Sequence, residues 1–274
     1  MLNCRIFIRN DSVLPGKEHT MKNFILTTVL AIMVLFAQAA TPPPPFADTI
    51  RISHDDLVMS SLKPGLYQYL VYFKNPKKDR IAGHSLWRRE VNFINRNGKD
   101  LIEIVQHWDY SDTAYSRYVY SLSDRRNFKP LYHYTRDPRG IEAFNFTDTE
   151  VTGADSVAGN KQKELRIVES VPTLNWELDL EVFGRLPFKK VGQEFAINFY
   201  HPGGKTGPQY YIYKVIGTDH ITMPDEHEVD CWKLRIEYQK DSWAIFWISR
   251  KTKEVMKMEE YFRGMYRYKV RVNG

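Results

Sequence analysis

The sequence predicts a mainly β domain built on one large antiparallel sheet, curved or nearly closed. Three observations carry this. Aromatic residues make up 14% of the 274 positions, with 17 Tyr, 15 Phe and 6 Trp, and these types suit a pleated, half-buried surface. Short runs with period-two alternation recur through both halves, bounded by Gly, Pro, Asn or Asp. No repeat of solenoid or propeller length interrupts them. The balance of 43% hydrophobic and 26% charged residues is that of a globular chain with one sizeable core.

The first elements concern address. Met21-Lys22-Asn23 is a short basic start, and Phe24 to Phe36 is apolar apart from Thr27 and Thr28. Ala37-Gln38-Ala39 supplies the small residues a signal peptidase reads, so 21–39 is expected to be a cleaved signal peptide. The apolar run is shorter than the ~20 residues a membrane-spanning helix needs. Residues 1–20 are polar, and the expected start is Met21, with 1–20 an upstream extension. The mature chain is then exported to the periplasm or cell envelope without a transmembrane span. Residues 40–64 contain Thr41-Pro42-Pro43-Pro44-Pro45 near their start and form a stiff extended spacer and lead-in. A single domain over 65–274 follows.

Within that domain, Pro64-Gly65 opens the strand 66–73 and Asn75-Pro76 closes it. The strand 83–95 ends at Asn97-Gly98, a hairpin signal because both residues accept positive φ. The strand 101–110 answers it with Ile102, Ile104, Gln106 and Trp108 alternating. Strands are read at 117–122 and 131–135, and then, past the turn Asp137-Pro138-Arg139-Gly140, at 141–146 and 150–151. The second half gives 195–200, 209–217, 229–238, 243–249, 255–262 and 266–272. The segment 173–183 fits two states. Leu174, Trp176, Leu178, Leu180 and Val182 alternate with Asn175, Glu177, Asp179 and Glu181 as a strand would. Pro172-Thr173 can equally start a helix, and Gly184 with Pro187 can stop one.

From about Gly65 onward the order of segments resembles an uncharacterised bacterial periplasmic family, domain of unknown function 3108. Three stretches carry the resemblance: Asn127-Phe128-Lys129-Pro130-Leu131-Tyr132 with the Arg139-Gly140 turn; Leu186-Pro187-Phe188 to Gly192; and Val229 to Leu234 followed by Trp247-Ile248-Ser249 and Val255 to Met258. Pro224 to Glu228 departs from the family's small-residue turn. The resemblance implies a fold similar to lipoprotein-carrier half-barrels, an incomplete barrel with one or two helices across its concave side. That implication tips 173–183 towards helix. Relatives of that shape hold acyl chains in the concavity, so a lipid or lipoprotein ligand is the partner it suggests.

Chemistry is sparse. Removing residues 1–39 takes the formal charge from +6 to +4, with both signs interleaved, so no nucleic-acid partner is expected. Cys231 is the one cysteine of the mature chain; it lies in a strand-like run and reads as a buried thiol. His201-Pro202-Gly203-Gly204-Lys205-Thr206-Gly207 lacks the leading Gly of a phosphate loop and reads as a hairpin connection. His107 and His133 sit in strands, and only their meeting with an acid across the sheet would build a site. There is no HExxH and no GxSxG. No catalytic residue, metal ligand or cofactor is therefore assigned, and ligand-binding residues remain open. Three functions compete: an envelope binding protein with an apolar ligand in a half-barrel, a non-catalytic envelope scaffold or interaction protein, and a hydrolase of envelope polymers. A concave face plugged by its own side chains counts against the first. A flat exposed patch favours the second. A polar cleft with convergent His and carboxylates favours the third.

Overall fold

The computed structural model describes residues 49–78, 80–223 and 226–272. The expected signal peptide, the proline spacer at 41–45 and the Pro224-Asp225 departure lie outside the described residues. Among the described residues no helix is long and apolar enough to cross a membrane.

The first half of the chain builds a meander. It comprises β2 (Gly65–Asn75), β3 (Arg80–Arg96), β4 (Lys99–Tyr110), β5 (Arg117–Asp124), β6 (Pro130–Asp137), β7 (Gly140–Phe146), β8 (Glu150–Gly153) and β9 (Arg166–Val168). The second half builds another from β11 (Glu194–Tyr200), β12 (Gln209–Thr222), β13 (Glu228–Gln239), β14 (Ser242–Ser249), β15 (Val255–Phe262) and β16 (Met265–Arg271). The two join because β16 pairs antiparallel with β2, with Tyr268 opposite Tyr72. Two short strands, β1 (Thr49–Ile52) and β10 (Leu174–Asn175), lie parallel on β11. The sheet is therefore mixed. Asn97 and Gly98 take φ of 51° and 77° at the β3–β4 hairpin, the primed turn that matches strand twist.

The expected curved sheet, an incomplete barrel with helices across a concave side, is corrected here. The sheet is open, neither closed nor strongly curled, and barrel-like does not describe it. Closure requires the first and last strands of the ladder to pair. This ladder instead runs out at β1 and β9, which are 4 and 3 residues long and not paired to each other. Strand count and alternation report which residues pair and alternate; they do not set closure.

Among the described residues one short α-helix, α1 (Asp179–Gly184), follows a 3-10 turn at Trp176–Leu178. We call the stretch 174–186 the strap. Leu178, Leu180, Val182 and Phe183 are buried and belong to the main core cluster. Phe183 lies 4.6 Å from Phe246 and 4.9 Å from Tyr213, ring centre to ring centre. Burying such side chains contributes ~1.5–3 kcal/mol each. Leu57 and Leu62 of the lead-in join the same cluster, and the Val58 N–H donates to the Arg185 carbonyl at 2.8 Å.

The strap explains its own ambiguous pattern. Its acids, Glu177, Asp179 and Glu181, are all buried. They face buried cations of the sheet, while the apolar positions face the core. The alternation of polarity is thus not an alternation of solvent and core, which is what a strand pattern presumes.

Candidate functional site

Beneath the strap, polar side chains from four strands are tied to its acids. Arg89 of β3 is 1% exposed. Its Nε donates to Glu181 Oε1 at 3.0 Å, with a second bond from Nη2 to Oε2 that makes the pair bidentate. Nη1 donates to Gln106 Oε1 at 2.8 Å and Nη2 to the Glu177 carbonyl at 3.0 Å. Arg117 of β5 chelates the Glu177 carboxylate at 3.1–3.2 Å and reaches Thr135 Oγ1 at 3.2 Å. Burial would raise the Glu177 carboxyl, but Arg117, with His133 and His201 nearby, holds it down at about 2.

The third cation is Lys269 of β16, which is 5% exposed. Burial lowers its ammonium to about 8, and Asp179 pushes back. Lys269 sits 4.5 Å over the Trp87 ring, Trp87 stacks on Trp108 at 3.8 Å, and Arg117 caps Trp108 at 4.5 Å. Glu181 and Glu177 are thus ion-paired to Arg89 and Arg117, while Asp179, its carboxyl raised by burial and pulled back by Lys269 and Arg89, interacts with Lys269 at longer range; Lys269 and Arg117 clamp a tryptophan pair.

His133 of β6 is fully buried behind this cluster. Asn175 Nδ2 donates to its Nδ1 at 3.1 Å, which leaves the ring proton on Nε2, donating to Thr135 Oγ1 at 3.0 Å. Burial lowers its pKa to about 4, so the ring is neutral. His107 does not join it. The register pairs His107 with Tyr118 and His133 with Ser121, putting the two imidazoles on opposite faces of the sheet. The structure therefore does not bring together His107 and His133, the histidine pair that the sequence singled out. Among the described residues no group of three or more His, Cys, Asp or Glu is placed to hold a metal ion. Cys231 is buried against Trp247 and Met256, and burial pushes its thiol up to about 12. The 201–207 loop joins β11 to β12.

The core side offers little space. The hollow beside the strap, lined by Leu62, Tyr69, Val91 and Leu180 among others, measures about 20 Å³. That is room for about one water. The place where a half-barrel would hold an acyl chain is filled by the strap's own Leu and Phe side chains.

The solvent face is different. Tyr118 and Tyr120 on β5 lie beside Tyr134 and Tyr132 on β6, with ring centres 6.1 and 6.2 Å apart in edge-to-face pairs. All four are half-buried. Arg96 donates to Tyr120 Oη at 2.8 Å, and Arg136 lies 5.8 Å over the Tyr118 ring. Arg136 is exposed and makes no ion pair among the described residues. A second band runs along the same face: Trp243, Tyr261, Tyr266, Tyr268 and Tyr72, with Tyr72 stacked on Tyr268 at 5.0 Å. Arg235 caps Trp243 at 4.8 Å. Sequence reasoning assigned no role to these tyrosines. The available signal was the Tyr-x-Tyr spacing at 118/120, 132/134 and 266/268.

A family model described as a protein of unknown function, DUF3108, matches residues 68–271. No curated protein matches the sequence. Among solved structures, a "putative lipoprotein" from Parabacteroides distasonis ATCC 8503 is similar at 10% identity and a TM-score of 0.33, over 79% of this chain and 98% of that one. A DUF1329 family protein from Desulfovibrio piger ATCC 29098 is similar at 8% identity and a TM-score of 0.29, over 78% of this chain and 86% of that one. At these scores neither likeness fixes a function.

Proposed function

The chain belongs to the DUF3108 family of proteins of unknown function, and we propose that it acts as a non-catalytic interaction protein of the cell envelope. In this reading it docks a protein partner on the solvent face of its sheet. The observation that carries the reading is the lattice of Tyr118, Tyr120, Tyr132 and Tyr134 flanked by Arg96 and Arg136. Tyr, Trp and Arg are the types that dominate binding energy at protein interfaces, because they bury large area while keeping a polar handle. Arg136 adds a positive charge without a resident carboxylate, so the partner segment presents Asp or Glu beside apolar side chains. The filled core side supports the same reading against an acyl-binding one. The expected signal peptide and proline spacer supply the envelope address.

A photo-crosslinking residue in place of Tyr134 tests this in cells. The expected result is one discrete protein adduct, lost when Arg136→Glu is added and absent when the crosslinker replaces Lys251 on an exposed turn. An adduct that survives Arg136→Glu, or label found only in lipid, overturns it.

A further inference from the structure

A second concave surface lies at the other face of the β5–β7 region, bordered by the strap and by the 201–207 loop. It is an open cleft of about 450 Å³, within the ~300–1,000 Å³ of small-molecule sites. We propose that this cleft binds a neutral saccharide, with one sugar ring lying against His201 and its hydroxyls bonded to Glu142, Arg139 and Lys161. The proposal is independent of the docking face, since none of those tyrosines lines the cleft.

Charge balance identifies the ligand class. The lining carries Asp137, Glu142 and Glu177 against Arg117, Arg139 and Lys161. Two of the cations are already matched: Arg117 chelates Glu177, and Arg139 Nε donates to Asp137 at 2.9 Å. Glu142 accepts from Gln162 Nε2 at 2.9 Å, which fixes its carboxylate while leaving further acceptor sites. An anion entering here meets three carboxylates, and a cation meets two guanidiniums and the Lys161 ammonium. A neutral polyol meets neither penalty. Its hydroxyls donate to the spare carboxylate lone pairs and accept from the spare guanidinium and ammonium N–H groups.

The ring of His201 supplies the flat wall that a sugar's C–H face requires. It stacks on Trp176 with centres 5.7 Å apart and planes 10° apart. Trp176 is itself braced by Tyr211 at 4.5 Å and Phe199 at 5.1 Å. Stacking occupies one face of the imidazole; the residue is exposed and lines the cleft, so the other face is presented to a ligand. The walls are held in advance. Gly203 has φ of 74°, and a Cβ on it would fall 2.4 Å from the Glu142 carboxylate, so the loop lies directly on that acid. Arg117 is fixed from behind by Thr135, which is bonded in turn to His133. Pre-fixed polar groups lose little entropy on binding.

Isothermal titration of the mature chain with chitotetraose, cellotetraose, maltotetraose and xylotetraose tests the proposal, with tryptophan fluorescence as a second readout on Trp176. At least one tetrasaccharide is expected to bind saturably. Its affinity should fall tenfold or more in His201→Ala and in Glu142→Gln, each checked for an unchanged melting temperature, and stay unchanged in Tyr134→Ala. Failure of all four sugars to bind, equal competition by inorganic phosphate, or wild-type affinity in both cleft variants overturns it. Loss of the Tyr134 crosslink with sugar binding intact would count against the docking face alone.

Discussion

Replacing Glu181 by Leu is the sharpest test of how the strap is held. Arg89 is buried at 1% exposure and Glu181 at 8%, and the substitution removes both carboxylate bonds while the guanidinium stays in place. Losing one partner of a buried ion pair costs ~3–5 kcal/mol, because the remaining charge is uncompensated. With an m-value of ~2–3 kcal/mol/M for a domain of this size, the urea midpoint falls by about 1–2.5 M. The double variant Arg89→Met/Glu181→Leu should recover to within ~1 kcal/mol of the parent. The structure explains the recovery, since no polar atom is orphaned. The Glu177 carbonyl keeps its bond from Gln106 Nε2 at 3.2 Å, and Gln106 Oε1 keeps its bond from Trp108 Nε1 at 3.2 Å. Urea titration followed by tryptophan fluorescence, run as a double-mutant cycle, reads both steps. A single-variant loss below ~1 kcal/mol, or a double variant no better than the single, would refute the clamp.

Two further outcomes follow from the same geometry. Burial lowers the folded His133 imidazole to about 4 from the ordinary value of about 6.5, so between those values the unfolded chain binds the proton and the folded chain does not. Stability therefore falls as pH drops through that window, by ~2 kcal/mol between pH 6.5 and 5, and His133→Gln should flatten this slope in pH-dependent melts. Glu169, raised to about 7 by burial, works in the opposite direction but is present in both chains and cancels in the comparison, so equal slopes would rule out His133 as the source. Gly184→Ala places a Cβ 2.0 Å from the Lys253 carbonyl where α1 crosses the β14–β15 turn; a loss of ~1–3 kcal/mol is expected in thermal melts, and an unchanged melting temperature would show that this approach is not tight.

Most of the strand order is legible in the sequence because alternation and turn chemistry are local. The Asn97-Gly98 hairpin and the alternating Ile102, Ile104, Gln106 and Trp108 lie where their pattern puts them. β1 and β10 are not legible. They are 4 and 2 residues long, and their parallel pairing with β11 depends on residues far away in the chain. The facing of β5 and β6 misleads for a different reason. Polarity would send Ser121, His133 and Thr135 to solvent and the tyrosines inward, yet these three are at most 3% exposed and the tyrosines face out. Asn175, Arg117 and Glu177 make the inversion tolerable by satisfying the buried polar groups. That compensation joins β5 to the strap, about 60 residues further along the chain, so no window of sequence contains it.

The same compensation bears on whether an acyl chain could ever lie under the strap. Burying methylene groups yields ~0.8 kcal/mol each, which makes displacement of Leu178, Leu180 and Phe183 by a lipid look like an even exchange. It is not even, because the strap brings acids as well as apolar groups. An acyl chain in its place would cover Arg89, Lys269 and Arg117 without supplying the carboxylates of Glu181, Asp179 and Glu177. Each buried charge left without a partner costs several kcal/mol, so the two stripped guanidiniums, with the buried Lys269 ammonium beside them, consume much of the gain from a long chain. The strap is thus matched to the sheet by charge as well as by shape. A ligand that replaced it would need anionic groups at the spacing of those three acids, and a hydrocarbon tail has none.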